Sequence, residues 1–186
     1  MARLQARLSL KGRALQLLAQ RDQSRVELRR KLRRHAQKSD AAASALNAIA
    51  DVGAGDADDG ASGASGGPDG AARRELQHDE VEAVLDWLEA QRFLSTERFV
   101  ESRIHAREGR FGSLRIKAEL AQHGLALPAD AARALAETEL ERAAAVRERR
   151  FPEPPKDAAG RARQARFLAA RGFSPEAVHR LMRQLR

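Results

Sequence analysis

The chain has 186 residues and a net charge of +8, with aromatics at only 4% and no cysteine. A disulfide frame and a thiolate metal site are therefore excluded, and Leu and Ala must supply most of the packing. There is no stretch of about 18 apolar residues that would span a membrane, and no apolar run after the first basic residues to act as a leader; the expected setting is the reducing cytoplasm.

Charge is unevenly distributed. Residues 1–36 hold 11 basic and 2 acidic side chains, residues 37–80 hold 3 and 9, and residues 81–186 hold 20 and 15. An acidic middle thus separates two basic parts, and an Arg-rich surface attracts nucleic acid or an acidic protein face. Ala, Leu, Arg, Glu and Gln are strong helix formers, and no segment alternates with period two, so the expected class is all-α.

In chain order, a first helix is predicted from Ser9 to Gln20, with Leu10, Ala14, Leu17 and Leu18 on one face. Ser24 and Glu27 form a capping box for a second helix reaching about Ala36, whose polar side carries Arg29, Arg30, Lys31, Arg33 and Arg34. Residues 37–78 break the pattern: 53–70 contains 7 of the 13 glycines with Ala, Ser and Asp, and is expected to be a disordered acidic loop. Residues 41–52 have weak helical character, and the insert is expected to screen the basic helices.

A third helix is predicted over 79–91, with Val81, Val84, Leu85 and Leu88 at helical spacing and Trp87 as a packing anchor. Ser95 caps a helix to Glu108, and Gly112 opens another that stops at Gly124. Pro128 starts one long Ala-rich helix to Arg150, followed by the stiff connector 151–155. Helices at 157–171 and from Ser174 onward complete the chain.

One ten-residue pattern occurs three times: QSRVELRRKL at 23–32, FGSLRIKAEL at 111–120 and FSPEAVHRLM at 173–182. Each places a small residue at a helix start and apolar residues four and eight positions later, the mark of a repeat architecture. The expected organisation is an elongated tandem array of three-helix repeats: 1–36 with 79–91 as the first, 94–150 as the second and 157–186 as a shorter third. Such an array offers a binding surface rather than a pocket.

Catalytic constellations are lacking. His35, His78, His105, His123 and His179 are scattered without metal-ligand spacing, and there is no nucleophile elbow or thiol. No enzyme activity, metal or cofactor is expected. The helix before Gly112 and the helix carrying Arg115 and Lys117 also suit a DNA-binding helix-turn-helix, so local pattern leaves two readings open.

The stretch ALQLLAQRDQSRVELRRKL at 14–32 resembles the N-terminal signature of the bacterial RecX regulatory proteins. The segment EVEAVLDWLEAQRFLSTERFVESRIHAREGRFGSLRIKAEL at 80–120 resembles their centre. The resemblance covers nearly everything except 37–78. It implies tandem three-helix repeats, and a partner in the RecA recombinase filament on single-stranded DNA, whose ATP hydrolysis, strand exchange and growth the family restrains. Two features depart from the family: the acidic insert, and Gln23 where an aromatic is usual, which is expected to leave the first turn less well anchored.

The resemblance carries no short catalytic motif. The expected contacts are basic positions: Arg29, Arg30, Arg33 and Arg34 in the first repeat; Arg103, Arg107, Arg110, Arg115 and Lys117 in the second; and Arg147, Arg149 and Arg150 beyond them. Non-specific contact with DNA phosphates would contribute, and the protein is expected to be a monomer.

Overall fold

A computed structural model describes residues 8–51 and 68–185, and these form nine α-helices with no strand among them. The chain divides after Ser95 into two compact units.

The first unit holds α1 (Leu10–Gln20), α2 (Arg25–Asp51) and α3 (Pro68–Ala90). Ser9 caps α1 by accepting from the Gly12 amide at 3.1 Å, and Ser24 Oγ accepts from the Glu27 amide at 3.1 Å. The apolar stripes predicted for all three helices meet: Ala14 and Leu17, Leu28 and Leu32, and Val81, Val84, Leu85 and Leu88 form one buried cluster closed by Leu94. Trp87 packs on its edge.

Two expectations for this unit are corrected. The loop expected over 37–78 is helical at both flanks, because α2 continues to Asp51 and α3 begins at Pro68. Asp40 on α2 receives Arg73 Nε at 3.2 Å and the Gln77 amide from α3. Residues 52–67, the centre of that loop, lie outside the described residues. Gln23 is not a weak anchor: it is 2% exposed, donates to the Leu17 carbonyl at 2.7 Å and accepts from Lys31 Nζ at 2.9 Å. A buried amide with both ends satisfied replaces the aromatic ring.

The second unit contains α4 (Thr96–Glu108), α5 (Ser113–Ala121), α6 (Ala129–Glu137), α7 (Glu139–Arg150), α8 (Ala158–Ala170) and α9 (Pro175–Gln184). They make two cores. Phe99, Val100, Ile116, Leu120 and Leu135 join α4, α5 and α6. Ala143, Val146, Leu168, Phe173, Val178 and Leu181 join α7, α8 and the α9 region.

The long helix expected over 128–150 is therefore two helices, broken at Thr138, which both ends α6 and begins α7. The expected second repeat, 94–150, divides at this residue, and the expected short third repeat gains α7 as its first helix. The 151–155 connector lies inside the third bundle, not between bundles.

The threefold pattern is corrected by the same boundary. Its copies at Ser24 and Gly112 open the second helices of their bundles, whereas the copy at Ser174 opens a third helix. A cap followed by an i, i+4 apolar pair suits any amphipathic helix start, so the pattern alone does not assign order. The equivalent of α5 is α8. Both end on a left-handed glycine, Gly124 (φ 71°) and Gly172 (φ 80°). In both, the next residue donates back to the last core leucine: Leu125 to Leu120 at 3.1 Å and Phe173 to Leu168 at 3.3 Å.

The two bundles of this unit are joined through backbone. The Gly112 amide donates to the Arg171 carbonyl at 3.0 Å, and the Leu114 amide to that of Gly172 at 3.1 Å. Glu139, 5% exposed, accepts from the Ser113 amide at 2.9 Å, the Ser113 hydroxyl at 2.7 Å and the Ser174 amide at 3.4 Å. Arg142 donates to the carbonyls of Glu108, Phe111 and Leu135.

Candidate basic interface

In the first unit, the basic side of α2 divides into a neutralised edge and a free one. Arg25 reaches Glu82, Asp86 and Glu89 on α3 at 3.0, 2.6 and 2.6 Å, and Arg29 holds Glu82 at 2.5 and 2.8 Å. Hydrogen bonds from Arg29, outweighing burial, pull the Glu82 carboxyl down to about 2. Arg33 reaches His78 Nδ1 at 2.5 Å. Arg30 and Arg34 are exposed and meet no carboxylate among the described residues.

Arg34 also lines a groove of about 290 Å³ between α1 and α2, together with Arg13, Leu17, Lys31, His35 and Lys38. Four of these six side chains are permanent cations. One is partly neutralised: Lys31 sits 3.0 Å from Glu27, which Arg21 also binds. The groove suits an anion, and Arg13 and Lys38 join the candidate set.

In the second bundle, Arg103 and Arg107 share Glu119, at 3.1 and 3.0 Å. Burial pushes the Glu119 carboxyl up, but Arg107 outweighs it and holds it below the usual range. Arg110, Arg115 and Lys117 are exposed, and Arg115 stands 5.6 Å from the centre of the half-buried Phe111 ring. In α7 the three expected contacts separate. Arg149 donates to the Gly109 carbonyl at 2.5 Å, and Arg150 lies 5.3 Å from the Phe151 ring. Arg147 is corrected: it is 7% exposed, with Nη1 unpartnered, and has no surface to offer. It follows Ala143 by four residues and Val146 by one, which turns it onto the buried stripe of α7.

Two further cations escaped sequence reasoning. Arg25 belongs to the α2–α3 ion cluster. Arg171, in the turn between α8 and α9, stands 5.9 Å from the Phe111 ring although 60 positions separate them. No local signal marks that pairing.

Among the described residues no group of His, Cys, Asp and Glu is placed to hold a metal, and no helix is long and apolar enough to cross a membrane. Within each unit by itself, these side chains present guanidinium and ammonium groups that suit the binding of anions.

Residues 130–182 match the family model described as the third three-helix domain of RecX, a span that takes in nearly all of α6, all of α7 and α8, and most of α9. The "Regulatory protein RecX" of Ralstonia nicotianae is 40% identical over 177 residues, covering 94% of this chain and 87% of that protein. The protein of the same name from Leptothrix cholodnii is 42% identical over 187 residues, covering 98% and 93%. That of Pseudomonas putida F1 is 35% identical over 179 residues, covering 94% and 89%. With this identity sustained along nearly the whole of both chains, the protein belongs to the RecX family of regulatory proteins.

Proposed function

We propose that this protein binds the RecA filament on single-stranded DNA and restrains its ATP hydrolysis, strand exchange and extension. The observation that carries the reading is the repetition of unneutralised cations in a member of this family. Arg30 and Arg34 stand on the first bundle, and Arg110, Arg115 and Lys117 on the second. Each contact is weak in water, but several held on one chain add avidity, and charge steers the encounter. A protein bridging neighbouring protomers restrains their relative movement during hydrolysis. It acts as a cytoplasmic monomer and does no chemistry of its own.

The test is ATP hydrolysis by RecA on single-stranded DNA with and without the purified protein, beside binding to DNA alone at several salt concentrations. Restraint of hydrolysis is the expected outcome; unchanged hydrolysis under saturating protein overturns the reading. The alternative is sequence-specific duplex recognition by α4 and α5. Against it, a recognition helix uses its N-terminal residues on base edges, and the start of α5 is packed on the Arg171–Gly172 turn.

A further inference from the structure

The turn between α4 and α5 leaves Phe111 half-buried, and three guanidinium groups from three separate elements surround its ring. Arg107 of α4 lies 6.0 Å from the ring centre, Arg115 of α5 at 5.6 Å and Arg171 of the α8–α9 turn at 5.9 Å. All are within cation–π reach. The groove beside the ring, about 360 Å³, is lined by Arg107, Phe111, Arg115, Ala118, Glu119 and Gln122.

Charge in this cluster is not balanced. Glu119 is the carboxylate in the groove, and Arg103 and Arg107 already occupy it. Arg115 and Arg171 meet no carboxylate among the described residues. Arg171 gives one N–H to the Arg110 carbonyl at 3.3 Å and lies 4.6 Å from the Phe167 ring. Like charges gathered on one ring repel each other, so something must hold them. The packing does: a Cβ on Gly172 would lie 2.4 Å from Arg115 Cβ, so the turn carrying Arg171 is pressed directly onto Arg115.

We propose that Phe111, Arg115 and Arg171 form a binding site for single-stranded nucleic acid, with the two guanidiniums on adjacent phosphates and a base stacked beside them. Nucleic acid fits better than an acidic peptide for a specific reason. Guanidinium forks match phosphate oxygens, and the ring and guanidinium planes offer flat surfaces that bases use and carboxylates do not. Phe111 acts as a positioning residue, its ring holding the Arg115 and Arg171 guanidiniums 5.6 and 5.9 Å from its centre. The inference rests on the filament reading only for its setting, in which the strand is the DNA within the filament.

The experiment measures fluorescence anisotropy of a labelled oligo-dT with the full chain across a salt series. Arg115→Gln with Arg171→Gln should weaken binding about tenfold and reduce the log–log salt slope by about 1.4, the single-strand expectation for two phosphates. Phe111→Leu should weaken it about threefold with the slope nearly unchanged. Arg180→Gln, an exposed cation on α9, should bind as wild type, and thermal melts establish that each variant folds. Unchanged affinity and slope in the double variant overturn the proposal. So does competition by polyglutamate as effective as by unlabelled oligo-dT, which would make this a surface for acidic protein. RecA hydrolysis, measured on the same samples, separates the two readings. Strand binding lost with the cluster while wild-type protein leaves RecA unaffected sinks the filament reading and keeps this one. Restraint of RecA with strand binding indifferent to the cluster does the reverse.

Discussion

Gly112 and Gly172 meet backbone to backbone: a Cβ on Gly112 would lie 2.2 Å from the Gly172 carbonyl oxygen. This approach lets the start of α5 donate two amides to the α8–α9 turn, at 3.0 and 3.1 Å. Neither partner can retreat, because the turn is fixed by Gly172 at φ 80° and by the burial of Phe173. Gly112→Ala should therefore destabilise the second unit by about 2–3 kcal/mol, the cost of forcing backbone apart in a packed site. Thermal denaturation by circular dichroism measures it, and a melting temperature within a degree of wild type would show that the contact yields easily.

Glu139 should be the polar counterpart of that contact. Replacing it with Ala strands the Ser113 and Ser174 amides and hydroxyl donor it now satisfies, a loss of about 2–3 kcal/mol for a buried group with charged hydrogen bonds. Glu139→Gln keeps the shape but supplies one acceptor oxygen in place of two charged ones, so it should cost less. Urea unfolding of the two variants should rank them in that order; equal midpoints would deny the carboxylate a special role.

Acid should weaken the fold in a definite window. Glu82 is held at about 2, against an ordinary 4.5, chiefly by Arg29. For Glu27, Glu119 and Glu139 burial pushes up, but hydrogen bonds from Arg21, Arg107 and Ser174 respectively win, and all three are lowered. A carboxyl lowered by folding contributes stability that is complete above its unfolded value and is lost as pH falls through its folded one. The Glu82 drop corresponds to at most ~3 kcal/mol. Its side chain is 24% exposed and those of its arginines 27% and 32%, so solvent screening reduces this to about 1 kcal/mol. Melting temperature should decline from about pH 4.5 toward pH 2, and Glu82→Gln should flatten the lower part of that curve. Identical acid slopes for variant and wild type would remove Glu82 from the account.

Charge reversal on α2 should split by position. Arg29→Glu faces Glu82 with a like charge and should cost about 1–2 kcal/mol of stability. Arg30→Glu with Arg34→Glu touches no ion pair among the described residues and should change stability by less than about 0.5 kcal/mol. Under the proposed function, only the latter pair should lower RecA inhibition without lowering the melting temperature. Full inhibition by a folded Arg30→Glu, Arg34→Glu protein would remove α2 from the interface.

Some of this was legible in the chain and some was not, for reasons particular residues make plain. Leu28, Leu32, Ile116 and Leu120 announced their faces through spacing, and all four are fully buried. The left-handed stop at Gly124 was readable because glycine tolerates positive φ. By the same token α2 runs past Ala36, where no glycine stands to end it. Residue type alone puts Arg147 on the surface, whereas its spacing from the buried Ala143 turns it inward.

Periodicity and charge are local properties, so the order of residues alone dictates that the protein is helical, that its apolar stripes face inward and that its surface is basic. Which cations remain free, and where one bundle ends and the next begins, follow from how the helices pack. A break at Thr138, a ring shared by Arg115 and Arg171, and the meeting of Gly112 with Gly172 depend on helices crossing at distances no spacing in the chain encodes.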